Sequence, residues 1–154
     1  MEEQIMNMPA VALRGLTILP GMIAHFDISR ERSLRAVEEA MEQDQKIYLV
    51  TQRNVDSEDP TQEDLYQMGI VADIKQVVRL QNDVVRILVD GISRAALLGF
   101  TGNEKYLEAE ICYCDSNADS LPEDLREAML LGVREAFHRY AAVVGKISKE
   151  LIRQ

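Results

Sequence analysis

The fold of this chain is decided by residues 79–95, Arg79-Leu80-Gln81-Asn82-Asp83-Val84-Val85-Arg86-Ile87-Leu88-Val89-Asp90-Gly91-Ile92-Ser93-Arg94-Ala95. Asn82 and Asp83 are residue types that accept a positive φ in a tight turn, although the usual glycine is missing. The stretch therefore predicts a β-hairpin between consecutive strands at 69–80 and 84–90. Gly91 predicts a bulge or bend just after the second of these strands.

The N-terminal segment Ala12-Leu13-Arg14-Gly15-Leu16-Thr17-Ile18-Leu19-Pro20-Gly21 predicts a first strand over 11–18 and a turn at Pro20-Gly21. Ser29 is a candidate cap for a helix that runs to about Asp44. Its apolar stripe is predicted from a spacing of three and four residues, and consists of Leu34, Val37 and Met41. Residues 46–52 then predict a buried strand.

The following segments predict the rest of a small β-structure. Residues 54–64 carry five acids and a proline and predict a solvated loop, after which residues 64–68 are expected to form one helical turn. Strands are expected at 94–99 and 105–114, with a turn at Gly102-Asn103. About six short strands and one inserted helix indicate an α+β fold, a small closed or half-closed barrel.

The composition changes after residue 114. Residues 115–120 are polar and predict a linker, and Pro122 with two following acids predicts the first turn of a helix. The predicted apolar stripe of this helix is Leu125, Met129, Val133, Phe137, Tyr140 and Val144, and Ser148 is a candidate cap for a further helix. We therefore divide the chain into a barrel domain at 1–118 and the truncated start of a helical subdomain at 119–154.

The charge of the chain argues against nucleic acid as a partner. The formal net charge is −9 over 154 residues, only 5% of the residues are aromatic, and tryptophan is absent. The acidic start of the chain and the lack of a long apolar run give no sign of a signal peptide or a membrane span. These features predict a cytoplasmic protein.

No pattern in the sequence predicts an active site or a metal site. The nearest approach to a phosphate-binding loop, at Gly145-Lys146, has Tyr140 where the first glycine belongs and Ile147 where a hydroxyl is needed. Ser148 and Lys149 are adjacent, so their side chains would diverge on a helix and could not act as a Ser–Lys pair. The two cysteines, Cys112 and Cys114, are expected to be reduced thiols, and His25 and His138 have no catalytic partner or metal-site spacing.

The segments 12–21, 29–41, 46–52 and 79–95, in this order and spacing, closely resemble the N-terminal domain of bacterial Lon, the ATP-dependent serine protease. The resemblance covers essentially the whole chain. It implies a PUA-like barrel that leads into a helical bundle, and a protein whose ATP, Mg and catalytic machinery lie elsewhere in a hexameric parent. It also implies that Arg14 ties loops together, whereas the bare sequence equally allows Arg14 to point into solvent.

The resemblance implies a role in binding unfolded, damaged or degron-bearing proteins and in hexamer assembly, within cytoplasmic protein quality control and the stress response. An apolar patch for such binding is predicted at Leu13, Met22, Ile23, Val77 and Val78, with Arg14, Pro20 and Gly91 as structural residues. The alternative for each patch residue is that it packs in the core. Two other functions stay open: a stand-alone Lon-like protein-interaction module, and RNA binding through the barrel, against which the charge argues.

Overall fold

The computed structural model describes residues 5–58, 60–114 and 122–145. These residues form six strands, two helices and a short 3₁₀ turn at Gln62–Asp64. In chain order the elements are β1 (Ile5–Leu13), β2 (Ile23–Ile28), α1 (Glu31–Glu42), β3 (Lys46–Thr51), β4 (Met68–Arg79), β5 (Val85–Phe100), β6 (Glu108–Tyr113) and α2 (Glu123–Val144).

Five of the strands close into a barrel. The sheet order is β2-β5-β4-β3-β1-β6, and β5 also pairs with β6, which closes the ring. The β1–β3 pair is parallel and the other pairs are antiparallel. β2 pairs with β5 alone among the described strands, and is therefore an edge strand attached to the barrel wall. The predicted small barrel with one inserted helix is confirmed.

Two clusters of buried side chains form the core. The first includes Val37 of α1, Ile47 of β3 and Ile87 of β5. The second surrounds Tyr48, whose hydroxyl donates a hydrogen bond to the carbonyl oxygen of Ala95 at 3.0 Å. Burial raises the pKa of Tyr48, so this residue is a neutral hydrogen-bond donor inside the barrel wall.

The N-terminal half differs from the sequence prediction at two strands. β1 begins at Ile5 and ends at Leu13, whereas the predicted strand covered residues 11–18. The strand ends before Gly15 because Gly15 adopts a φ of +67° and turns the chain. β2 was not predicted. Its exposed His25 and Asp27 give β2 a polar outer side. The apolar run that predicts a strand is therefore weak in the residues after the Pro20-Gly21 turn.

Helix α1 also differs from its prediction. Arg30 occupies the N-cap position and no side chain caps the helix, so Ser29 is not the cap. Met41 is exposed, whereas the small residues Ser33, Ala36 and Ala40 are buried beside Val37. Small side chains let the helix approach the barrel closely. The buried residues Ser33, Ala36 and Ala40 each lie one residue before a member of the predicted stripe.

The central hairpin follows its prediction. Asn82 and Asp83 have φ values of 60° and 59°, and the N–H of Val84 donates to the carbonyl oxygen of Gln81, as in a type I′ turn. The strand after this turn continues through Gly91 to Phe100 as the single strand β5, rather than as two strands. The 3₁₀ turn lies at Gln62–Asp64, ahead of the predicted turn at 64–68.

The chain forms two compact units, residues 1–115 and 116–154. The predicted boundary between residues 118 and 119 stays a prediction, because it lies outside the described residues, as does the helix start at Ser148. In the second unit, α2 ends where Gly145 adopts a φ of 66°. Ala141 is the one buried residue among those described in α2, and most of the predicted apolar stripe, including Leu125, Met129 and Val133, is exposed. Neither described helix is long and apolar enough to cross a membrane.

Candidate functional site: an apolar turn supported by Gly91

The turn at Pro20-Gly21 has a defined geometry. The N–H of Met22 donates to the carbonyl oxygen of Leu19 at 3.1 Å, and Gly21 has a φ of +79°. Proline at the second position and a glycine with positive φ at the third define a type II turn. The two residues quoted from the sequence therefore determine the shape of the turn.

The turn is fixed to strand β5 through Gly91. The N–H of Gly21 donates to the carbonyl oxygen of Gly91 at 2.8 Å, and the N–H of Gly91 donates to the carbonyl oxygen of Met22 at 2.9 Å. A Cβ atom on Gly91 would collide with the carbonyl oxygen of Leu19 and lie 2.8 Å from Cδ1 of Ile70. Glycine at this position is what lets the turn pack so closely against the barrel.

Gly91 also borders a bulge in β5. Val71 of β4 pairs with Ser93 and Ala72 pairs with Gly91, so Ile92 has no opposite residue on β4. A bulge of this kind bends its strand and redirects the side chains beside it. The bulge and the turn meet at the same point on the barrel.

Four exposed apolar side chains lie at this junction. Leu19 is 58% exposed, Met22 37%, Ile23 67% and Ile92 44%. We call this set the turn patch. Because its backbone is hydrogen-bonded to β5, the patch presents apolar side chains from a fixed support rather than from a free loop.

The structure places the predicted patch residues in different environments. Met22 and Ile23 belong to the turn patch, and Val78 is exposed on β4. Val77 is half-buried and packs against the core. Leu13 is 4% exposed, so its assignment to an exposed surface is corrected: β1 directs Leu13 into the core, and the next residue, Arg14, is the exposed one.

The outer face of the β2–β5–β4 sheet continues from the turn patch. His25 of β2 and Gln76 of β4 both lie opposite Leu88 of β5. These residues, with Val78 and Arg86, line a shallow cavity of about 300 Å³. The face thus combines apolar and polar side chains around one depression.

An ion pair connects β2 to the neighbouring strand β5 on this face. Nε of Arg86 lies 2.8 Å from Oδ1 of Asp27, and Nη2 of Arg86 lies 3.1 Å from Oδ2. The hydrogen bonds from Arg86 lower the pKa of Asp27, and Asp27 raises the pKa of Arg86. The pair holds β2 to β5 in solvent, where such contacts contribute little free energy.

Arg30 joins β1 to the segment that follows β3 through its side chain. Its guanidinium donates to the carbonyl oxygens of Ala12 at 3.2 Å and Glu58 at 3.1 Å, and to Oε1 of Gln52 at 2.8 Å. The buried Gln52 in turn donates to the carbonyl oxygen of Ser57 at 2.9 Å. Arg30 therefore connects β1 with Gln52, which directly follows β3, and with the loop at Glu58.

The family resemblance implied this loop-tying role for Arg14, whereas the sequence alone also allowed Arg14 to point into solvent. Arg14 is exposed and makes one long hydrogen bond, from Nη2 to the carbonyl oxygen of Ser57 at 3.4 Å. Arg30 was missed because an arginine followed by a glutamate at the beginning of a helix is usually a pair of solvent-exposed side chains. No local signal marks it, because the strand β2 that ends two residues before it was itself not predicted.

The described residues contain no group of three or more His, Cys, Asp or Glu side chains that could hold a metal ion. His25 lies on the outer sheet face and His138 lies on α2, in separate units. Cys112 and Cys114 carry reduced thiols and are half-buried, and Sγ of Cys114 lies 3.8 Å from Sδ of Met68.

The fold is that of known Lon N-terminal domains. The N-terminal domain of the Mycobacterium avium complex Lon protease matches with a TM-score of 0.63 and 17% identity, over 94% of this chain and 77% of that one. The Lon N-terminal domain protein from Xanthomonas campestris matches with a TM-score of 0.60 and 16% identity, over 85% of this chain and 72% of that one. At these identities the likeness shows a shared fold.

The family follows from sequence. The family model for the ATP-dependent protease La (LON) substrate-binding domain matches residues 7–154, and the chain belongs to this family. It is 38% identical over 154 residues to the Lon protease of Lachnoclostridium phytofermentans, and 35% identical over 152 residues to that of Clostridium acetobutylicum. These alignments cover 100% and 99% of this chain but 19% of each relative, so the chain spans about a fifth of their length.

Proposed function

We propose that this chain is the non-catalytic N-terminal part of an ATP-dependent Lon protease, and that its turn patch binds unfolded, damaged or degron-bearing polypeptides. The observation that carries the proposal is the exposure of Leu19, Met22, Ile23 and Ile92 on a hydrogen-bonded support. Membership of a family described as a substrate-binding domain supports it.

The chemistry of the patch suits varied partners. Unfolded polypeptides expose the apolar side chains that folded proteins bury, and aliphatic side chains and methionine contact such groups without a fixed geometry. Full burial of one such side chain contributes on the order of 1.5–3 kcal/mol. A patch of a few residues therefore gives weak, sequence-tolerant binding.

Assembly of the parent protein would strengthen this binding. In the proposed cytoplasmic hexamer, each subunit presents one turn patch, and a long unfolded chain could contact several at once. Linked contacts raise the overall affinity without a new contact at any one site. ATP, Mg and the serine peptidase chemistry would be supplied by other parts of the parent, which would carry out proteolysis in protein quality control and the stress response.

An equilibrium binding experiment tests the proposal. Reduced, carboxymethylated α-lactalbumin stays unfolded and serves as the ligand, and native α-lactalbumin is its folded counterpart. We expect binding of the unfolded form only, and the double variant Met22→Ser, Ile23→Ser should weaken it by about tenfold because two apolar contacts are lost.

The matched control for that variant is Leu98→Ser. Leu98 is 45% exposed on β5, away from the turn, so it exposes a similar apolar side chain without belonging to the patch. Its variant should bind the unfolded ligand with a Kd within about twofold of the parent. Equal losses for both variants would contradict a role specific to the turn patch.

A further inference from the structure

Strand β2 has a partner on one side only. Ile23–Ile28 pairs with residues 85–90 of β5, and no other described strand lies along it. Among the described residues, no backbone hydrogen bond from this strand is found outside that ladder. Its second edge is therefore a row of backbone groups without a protein partner in this part of the chain.

The hydrogen bond at Gly91 fixes which residues form that row. Met22 lies opposite Gly91, and the N–H of Gly91 donates to the Met22 carbonyl oxygen at 2.9 Å. In an antiparallel pair the hydrogen-bonded positions alternate, so Ala24, Phe26 and Ile28 bond to β5. The N–H and C=O groups of Ile23, His25 and Asp27 consequently face the free edge.

The strand lacks three of the features that protect an edge. Natural edge strands are blunted by lysine, proline or a bulge, and residues 23–28 contain none of these. The one charged side chain, Asp27, is paired with Arg86. The edge is thus open to pairing while the barrel beside it is closed.

A small cavity adjoins one end of this strand. A cavity of about 170 Å³ opens beside the second half of β2, where its lining includes Phe26, Asp27, Leu13, Arg14 and Leu16. At the other end of the strand, Ile23 of the turn patch is 67% exposed. The unpaired backbone groups of β2 and the exposed apolar side chain of Ile23 therefore lie along the same edge.

We infer that the free edge of β2 binds an extended segment of unfolded polypeptide as an added strand, with the neighbouring turn patch contacting its apolar side chains. The inference rests on the proposed function and assigns its mode of binding. Only an extended polypeptide repeats N–H and C=O groups at the spacing of Ile23, His25 and Asp27. Main-chain pairing is independent of side-chain sequence, and folded proteins have already used these groups internally.

A pair of N-methylated peptides tests this mode. The parent peptide has eight residues of alternating valine and threonine with a lysine at each end. One derivative carries two N-methyl groups on residues i and i+2, which blocks one edge of the extended peptide, and the other carries them on residues i and i+1, which blocks both edges. We expect the first derivative to bind within about threefold of the parent and the second to lose at least about tenfold.

Amide exchange reports the same event on the protein. In the free protein the amides of Ala24, Phe26 and Ile28 should be protected by the β5 ladder, and those of Ile23, His25 and Asp27 should exchange fast. The parent peptide should slow exchange at the second set. His25→Pro, which removes an edge donor while leaving the ladder intact, should weaken peptide binding, and His25→Thr should not.

The outcomes separate this inference from the proposed function. If carboxymethylated α-lactalbumin binds but the peptides do not, or both derivatives bind alike with unchanged exchange, the edge mode is wrong and the turn patch alone binds. If neither ligand binds, both proposals fail. Protection of Ile23, His25 and Asp27 that grows with protein concentration in the absence of peptide would assign the edge to a second copy of this chain, and would also overturn the inference.

Discussion

The turn patch and helix α2 both expose apolar side chains, yet the two regions are supported differently. The turn patch is anchored to β5 by two hydrogen bonds at a glycine that admits no side chain. In α2, Leu130, Leu131 and Val133 are each at least half exposed, and the helix buries only Ala141 among its described residues. We therefore expect the turn patch, whose backbone is hydrogen-bonded to the barrel, to bind ligands in preference to the exposed face of α2.

The largest expected difference lies between two glycines. Gly91→Ala should lower the free energy of unfolding of the barrel by about 2–3 kcal/mol, because its Cβ would push against the carbonyl of Leu19. Gly132→Ala in α2, where a Cβ meets nothing within 4 Å, should instead raise helix stability by about 0.5–1 kcal/mol. Urea unfolding, followed by circular dichroism, measures both; equal and small effects would show that the turn does not depend on Gly91.

The next effect concerns the two arginines near the β3–β4 loop. Arg30→Ala should lower the free energy of unfolding by about 1–3 kcal/mol, since it leaves buried Gln52 and the Ala12 carbonyl short of a partner. Arg14→Ala should change it by less than about 0.5 kcal/mol, because Arg14 is exposed. Amide exchange in residues 54–58 should rise for the first variant only. A larger loss in the free energy of unfolding for Arg14→Ala than for Arg30→Ala would show that Arg14 is the residue that ties the loops together.

A third prediction compares the two apolar regions directly in binding. The double variant Leu131→Ser, Val133→Ser removes side chains that are 57% and 67% exposed, similar to those of the turn patch. It should bind carboxymethylated α-lactalbumin within about twofold of the parent, against the roughly tenfold loss expected for the turn variant. A tenfold loss of affinity in the α2 variant would mean that exposed apolar side chains bind the ligand whether or not their backbone is hydrogen-bonded to the barrel.

The smallest effect is that of the exposed ion pair. The pKa of Asp27 lies below its ordinary value because Arg86 bonds its charged form, so the pair's stabilisation is present above that ordinary value and is lost as pH falls through the lowered one. In Arg86→Ala, the pKa of Asp27 measured by NMR should rise toward 3.8, its model-compound value. The control Arg35→Ala, which removes an ion pair with Glu31, should leave the pKa of Asp27 unchanged.

The predictable parts of the fold are those that local chemistry determines. Asn82-Asp83 and Pro20-Gly21 specify their turns through φ preferences, and the long apolar runs specified the barrel strands on either side. β2 was missed because an edge strand with one polar face has a weaker apolar signal than a central strand. The continuity of β5 was missed because a glycine that bends a strand cannot be told from one that ends it.

The site was predictable only in part, because exposure is set by tertiary contacts. Met22 and Ile23 could be chosen from a turn that carries apolar residues, yet Leu19 and Ile92 join them only through the pairing at Gly91. Leu13 and Val77 face the core because of the register of β1 and β4, and a shift by one residue would have reversed them. Arg30 acts through contacts with residues 18 to 28 positions away, which no local pattern encodes.

An NMR titration of the 154-residue chain with native and with carboxymethylated α-lactalbumin tests whether the turn patch binds unfolded polypeptide. We expect shifts of the amides of Gly21, Met22, Ile23 and Ile92 with the unfolded form only, and no shifts at Leu131 or Val133. Shifts confined to α2, or equal shifts with the folded form, would contradict this expectation.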